Sequence, residues 1–219
     1  MHPVLRLYED VLSSAENVEF RLPPLPRFIF VVHGAATIGG ASVNEGAAWQ
    51  GEDAALVKPG AGGVTCWRWE LARGDQGSTV ACAPGMASHE KLSAFLETLP
   101  KGDLLMRGDS VAFPPGGVAY RHRHQGPGIR CLIEGGIRID THSRSTSYGP
   151  GGAWYETGSD PVSTQAALDR PSRFIRVMIL PRALLGKSSI EYLNEADKAK
   201  PKSQSYKIYV DMEISSPSS

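Results

Sequence analysis

The sequence predicts an all-β protein built as two similar halves joined by one helix. Three observations carry this expectation. Glycine and proline are abundant, at 24 and 16 of 219 residues, and fall between short apolar runs, as the turns of a many-stranded protein require. Aromatic and β-branched residues recur along the chain, which argues against disorder. The same order of apolar runs appears twice.

The first copy occupies residues 1–83. It reads Val18-Glu19-Phe20-Arg21, then Phe28–Gly34, then Gly46-Ala47-Ala48-Trp49, then Val64–Trp69. Trp67 and Trp69 alternate with Arg68, the pattern of a half-buried strand. A helix is expected over 84–102. Ser88 would cap it, Glu90 suits the positive end of its dipole, and Leu92, Phe95, Leu96 and Leu99 form one apolar stripe. Pro100 and Gly102 would end it. The second copy fills 103–213. It reads Val118-Ala119-Tyr120-Arg121, then Ile129–Gly135, then Gly151-Gly152-Ala153-Trp154, then Arg173–Met178. Ile137 and Ile139 alternate with charged residues, as do Tyr206, Ile208 and Val210. The polar stretch from Lys187 to Ser205 is expected to wrap the surface. Residues 214–219 are expected to be a disordered tail.

Composition excludes several function classes. Lys plus Arg equals Asp plus Glu at 23 each, without a basic block, so a phosphate-binding nucleic-acid surface is not expected. The longest apolar runs are too short for a bilayer, and no secretory signal opens the chain. Cys66, Cys82 and Cys131 are scattered, without a Cys-x-x-Cys pair, and read as thiols of a reducing compartment. A soluble cytoplasmic protein is the expectation. No phosphate loop, nucleophile elbow or dinucleotide fingerprint is present.

The stretch that carries chemistry is His122-Arg123-His124. On a strand, residues i and i+2 share a face, so two imidazoles project together about 7 Å apart along the strand. Neutral imidazole ligates zinc, iron, copper or nickel. Tyr120 falls on the same face by alternation and is the candidate catalytic side chain. Gln125 and His142 are weaker candidate ligands, with His142 expected on an exposed hairpin. His33 is expected to be structural, and His89 lies on the expected helix. Trp154 matches Trp49 and is expected to be structural. Arg130, Arg138 and Arg176 could clamp a carboxylate, but outward-facing charges are the expectation.

Gly116-x5-His122-x-His124, followed after Gly126-Pro127-Gly128 by a strand ending in Glu134-Gly135, resembles the first signature of the cupin superfamily. Gly151 to Glu156, and on to Pro161-Val162, is similar to the second. The repeat resembles a bicupin. The resemblance implies two jelly-roll barrels, joined here by the helix, with a single-ion metal site in the second barrel. It also marks departures. Gly128 and Ile129 stand where a ligating Glu is usual, and Val162 stands where a His is usual. Leu22 and Pro24 replace the two histidines in the first copy, so that barrel is expected to be metal-free and to serve packing or homodimer formation. Glu156 is the candidate third ligand, since two His plus one carboxylate is an arrangement of Fe(II) oxygenases. The reading that results is a metal-dependent enzyme acting on a small organic molecule, an Fe(II) oxygenase first, with Mn, Zn, Ni or Cu as other ions. A lyase or isomerase, or a binding or sensor barrel without catalysis, is the alternative.

Overall fold

The computed structural model describes residues 2–15, 18–74, 76–142 and 144–215. The chain divides into two compact units, Met1–Glu97 with Ile214–Ser219, and Thr98–Glu213.

The first unit contains β1 (Val4–Leu12), β2 (Phe20–Leu22), β3 (Arg27–Ile38), β4 (Ala41–Asn44), β5 (Ala48–Gly51), β6 (Ala55–Ala72), β7 (Cys82–Ala83) and β8 (Met86–Phe95). They form one sheet in the order β4-β3-β6-β1-β8-β7, with β2 paired to β6 and β5 to β3. The β3–β6 ladder shifts register between Val31 and His33 and again between Gly34 and Ala36. Gly34 lies between these shifts at φ +80°, where a Cβ would stand 2.3 Å from the Gly63 carbonyl oxygen, so glycine is required for the strands to approach. Leu12, Phe20, Ile29, Val31 and Ile38 build the core, and Leu22, the expected counterpart of His122, packs among them.

A buried ionic network lies in the same unit. Arg68 donates to Asp10 Oδ2 at 2.6 Å and Oδ1 at 3.1 Å, and its Nη1 stands 2.7 Å from Glu70 Oε2. Arg27 Nε donates to Glu70 Oε1 at 3.0 Å. Arg68 is fully buried, so β6 is not the half-buried strand that the Trp67/Trp69 alternation suggests; the strand is covered on both faces here.

The expected helix over 84–102 does not form. Met86–Phe95 is a strand that pairs antiparallel with β1 from Leu12↔Met86 to Val4↔Phe95. The apolar stripe covers only Leu92 to Leu99, and isolated helices that short are marginal in water. A β1 edge that needs partners for its backbone groups decides the matter. The apolar stripe splits accordingly, with Leu96 buried and Phe95 at 63% exposure. Ser88, the expected cap, donates to Asp10 Oδ1 at 2.5 Å and accepts from the Ala81 amide at 2.9 Å.

The second unit contains β9 (Leu104–Phe113), β10 (Val118–His124), β11 (Gly128–Glu134), β12 (Ile137–Thr141), β13 (Arg144–Tyr148), β14 (Ala153–Glu156), β15 (Val162–Ala166), β16 (Ser172–Pro181), β17 (Ile190–Tyr192) and most of β18 (Ser205–Ile214). Two five-stranded sheets result, β13-β12-β15-β10-β17 and β14-β11-β16-β9-β18. Val111, Phe113, Leu132, Ile137, Trp154 and Phe174 belong to the apolar core of the unit.

The stretch 187–205 is more ordered than its polarity suggests. It carries β17, which pairs with β10 at His122↔Tyr192 and His124↔Ile190, and the short helix α1 (Glu195–Ala199), capped by Asn194. Within the expected tail, Ile214 ends β18 as a buried residue and the Ser215 amide donates to Glu52 at 2.9 Å. Residues 216–219 lie outside the described residues. No helix among the described residues is long and apolar enough to cross a membrane.

Candidate metal centre

Strand β10 carries both histidines inward. His122 and His124 are 5% and 6% exposed, while Arg121 and Arg123 face out. The ring centres stand 4.9 Å apart at 81°. Two imidazoles on one ion, each bound at about 2.0–2.1 Å, place their ring centres about 4.5–5.2 Å apart at ligand angles of about 90–110°.

Both residues line the same inner cavity. His122 Nδ1 lies 2.7 Å from the Tyr120 carbonyl oxygen, which can only accept, so Nδ1 carries the proton and Nε2 the lone pair. Arg176 Nη1 approaches His124 Nε2 at 3.5 Å as a donor, and His124 Nδ1 faces Ser189 Oγ at 3.4 Å. Burial lowers the pKa of both imidazoles. For His124 the neighbouring Arg176 and Arg130 depress it further, to well below the ordinary histidine value. The neutral, ligating form is thereby favoured.

This depression has a stability consequence. Each imidazole binds a proton more weakly folded than unfolded. Its contribution is therefore full above the unfolded pKa near 6.5 and is lost as pH falls through that value toward the lower folded one. The melting temperature is expected to fall between pH 7.5 and pH 5, and less so in a His122→Gln/His124→Gln variant. Parallel melting curves for the two proteins would contradict this assignment.

Glu156 ends β14 opposite Gly128 of β11 and is 8% exposed. Its Oε1 accepts from Trp154 Nε1 at 2.9 Å, and its Oε2 stands 2.8 Å from Arg130 Nη2. Trp154 is fixed in turn by Tyr148, stacked at 4.9 Å, and by Phe174, edge-on at 5.2 Å. The Glu156 Oε2 to His124 Nε2 separation is 3.9 Å, against the about 3.0–3.4 Å expected of two donors on one ion. Among the described residues no three His, Cys, Asp or Glu side chains stand close enough to hold an ion as they are. The ring spacing thus matches that of two imidazoles on one divalent transition metal, once Arg176 Nη1 withdraws from His124 Nε2. The carboxylate fits after moving by less than about 1 Å and releasing Arg130.

Tyr120 is not part of this cluster. The β10–β15 ladder slips between Ala119 and His122, which turns Ala119 inward with the histidines and Tyr120 away from them. The Tyr120 ring instead receives Lys200 Nζ at 4.6 Å and Lys202 Nζ at 5.4 Å. Gln125 is exposed, His142 lies exposed at the β12–β13 turn, and His33 and His89 are exposed in the first unit.

Two arginines expected to face outward face inward. Arg130 is 1% exposed and burial lowers its pKa to about 10; Arg176 is 6% exposed and is held by Asp109 through Nε at 2.9 Å and Nη2 at 2.6 Å. Arg138 stays outside on Asp140. Asp109 and Ser189 were not among the sequence candidates. Asp109 had a signal available, since a charge inside the apolar strand Leu104–Phe113 needs a buried partner.

A cavity of about 20 Å³ remains among His122, His124, Arg130, Glu156, Thr164 and Arg176, room for one water-sized occupant. A second cavity of about 220 Å³ opens beyond it, and His124, Arg176, Ile190 and Tyr206 line both.

No protein-family model matches this chain, and no curated protein matches it. Solved structures do. A variant of the oxalate decarboxylase of Bacillus subtilis is similar over 90% of this chain and 73% of that one, with a TM-score of 0.59 at 12% identity. A structure describing the substrate binding mode of oxalate decarboxylase is similar over 91% and 73%, with a TM-score of 0.58 at 12% identity. A cupin 2 conserved barrel domain protein from Leptotrichia buccalis is matched over 81% of this chain and 84% of that one at 8% identity, with a TM-score of 0.49. At such identities the likeness to oxalate decarboxylase concerns the fold, and the fold of this chain is the all-β jelly roll of cupins.

Proposed function

We propose that the second barrel is a metal-dependent site for a small organic molecule in a two-barrel cupin protein. The observation that carries this reading is the buried imidazole pair, its ring centres 4.9 Å apart, with the His122 proton held at Nδ1 by the Tyr120 carbonyl so that Nε2 carries the lone pair. His122 and His124 would hold the ion, with Glu156 as third ligand. A divalent ion bound there supplies Lewis-acid polarisation and, if it is iron(II), oxygen chemistry; an oxygenase is the finer reading. The chain's own residues do the rest. The Tyr120 carbonyl fixes the His122 tautomer. Trp154 anchors one oxygen of Glu156 and leaves the other to change partners. Val111, Phe113 and Phe174 line the inner cavity with apolar surface and exclude water. A reducing, cytoplasmic location fits the lack of any disulfide among Cys66, Cys82 and Cys131, and homodimer formation through the first barrel belongs to the same reading.

The Arg130–Glu156 pair favours a second reading, a metal-free binding barrel, because a guanidinium already neutralises the carboxylate. Metal titration separates the two. Chelator-treated protein offered Fe(II), Mn(II) or Zn(II) is expected to retain one equivalent after gel filtration. His122→Ala and His124→Ala are each expected to lose it. Retention in both variants would reject the assignment.

A further inference from the structure

We infer that the second barrel takes a small organic carboxylate, its head on Arg176 and Arg130 and its body against Tyr206 and Ile208. This rests on the reading of the barrel as a small-molecule site and not on a bound ion. Arg176 commits Nε and Nη2 to Asp109, so Nη1 is left with the long 3.5 Å approach to His124. Arg130 Nη1 donates to the Gly128 carbonyl at 2.6 Å. Arg130 Nη2 lies close to Glu156, but in a direction that makes no hydrogen bond, and it is buried without an acceptor. Two desolvated guanidinium groups, each ion-paired to a carboxylate, therefore line one cavity, Arg176 with an N–H held only by a long contact and Arg130 with one that has no hydrogen-bond acceptor. Such donors recognise an anionic oxygen strongly, because water does not compete.

Shape narrows the class. The inner cavity of about 20 Å³ admits one oxygen of an anionic head. The outer cavity of about 220 Å³ admits an organic body. Tyr206 and Ile208, about half exposed on β18, give that body an apolar wall, and the exposed Lys187 adds positive charge at the rim. The inner cluster is electrically balanced as it stands, Arg130 and Arg176 against Asp109 and Glu156 with neutral imidazoles. The balance adds no net repulsion to an anion, and the choice of sign rests on the Arg130 donor that lacks an acceptor.

Calorimetric titration of the chelator-treated full chain with benzoate, benzamide and benzylammonium tests this. Saturable benzoate binding is expected, at least tenfold tighter than benzamide, with none for benzylammonium. In Arg176→Gln/Asp109→Asn, which keeps a neutral hydrogen-bonded pair, benzoate should fall to the level of benzamide. In Tyr206→Ala, a half-exposed position that folding tolerates, both probes should weaken several-fold. Benzoate no tighter than benzamide, no saturable binding, or affinity unchanged in Tyr206→Ala would each overturn the inference. Benzoate binding by a protein that never retains an ion would sink the metal reading and leave the carboxylate site standing. Ion retention without a benzoate preference would do the reverse.

Discussion

Glu156→Ala is expected to destabilise the protein by about 3–5 kcal/mol before any metal is added. The carboxylate is the counter-ion of Arg130, which is 1% exposed and has no other anion as close, so truncation leaves a buried guanidinium uncompensated. Trp154 Nε1 loses its acceptor in the same step. Glu156→Gln keeps an acceptor for Trp154 and should cost less. Denaturant unfolding of both variants checks the ordering, and equal stability of Glu156→Ala and wild type would refute it. Metal affinity should fall in both variants, so stability and ion binding can be read apart.

Arg68→Ala is expected to have the largest effect in the first unit. Arg68 bridges Asp10 and Glu70, two carboxylates at 2% and 1% exposure. Removing one partner of a single buried pair typically costs about 3–5 kcal/mol, and here two carboxylates lose theirs, although Arg27 retains Glu70. The Tyr8 ring also loses the guanidinium 4.2 Å from its centre. Loss of soluble folded protein, or a transition shifted to much lower denaturant, is the expected result. Arg68→Ala with a wild-type unfolding midpoint would mean that the network contributes nothing. Replacing Arg68, Asp10, Glu70 and Arg27 together by apolar residues should be far milder, because the cost lies in unpaired charge and Arg27 would otherwise lose Glu70.

The strands were legible where one face meets the core and the other meets solvent. Ile137 and Ile139 alternate with Arg138 and Asp140, and β12 is buried on alternate residues as that pattern requires. Alternation also placed His122 and His124 on one inward face. It failed two residues earlier, at Tyr120, because a slip in the β10–β15 ladder inverts the parity and no local residue announces it. It was silent for Arg130 and Arg176, since β11 and β16 are covered on both faces and an inward arginine looks like an outward one. The helix over 84–102 was misread for a different reason. Leu92, Phe95 and Leu96 satisfy a helical period, and only the long-range pairing with β1 makes a strand of them. Proximity of Glu156 to the histidines depended on the path of β14 against β11, which the resemblance implied and local pattern could not supply.

On the proposed reading, two imidazoles of β10 grip one ion inside the second barrel. Crystals of the full chain equilibrated with Mn(II), with diffraction collected on both sides of the manganese absorption edge, test it most directly. One anomalous peak is expected within about 2.3 Å of both His122 Nε2 and His124 Nε2, with Glu156 turned from Arg130 toward it. No peak in the barrel, with Arg130 still on Glu156 and Arg176 still against His124, would contradict it.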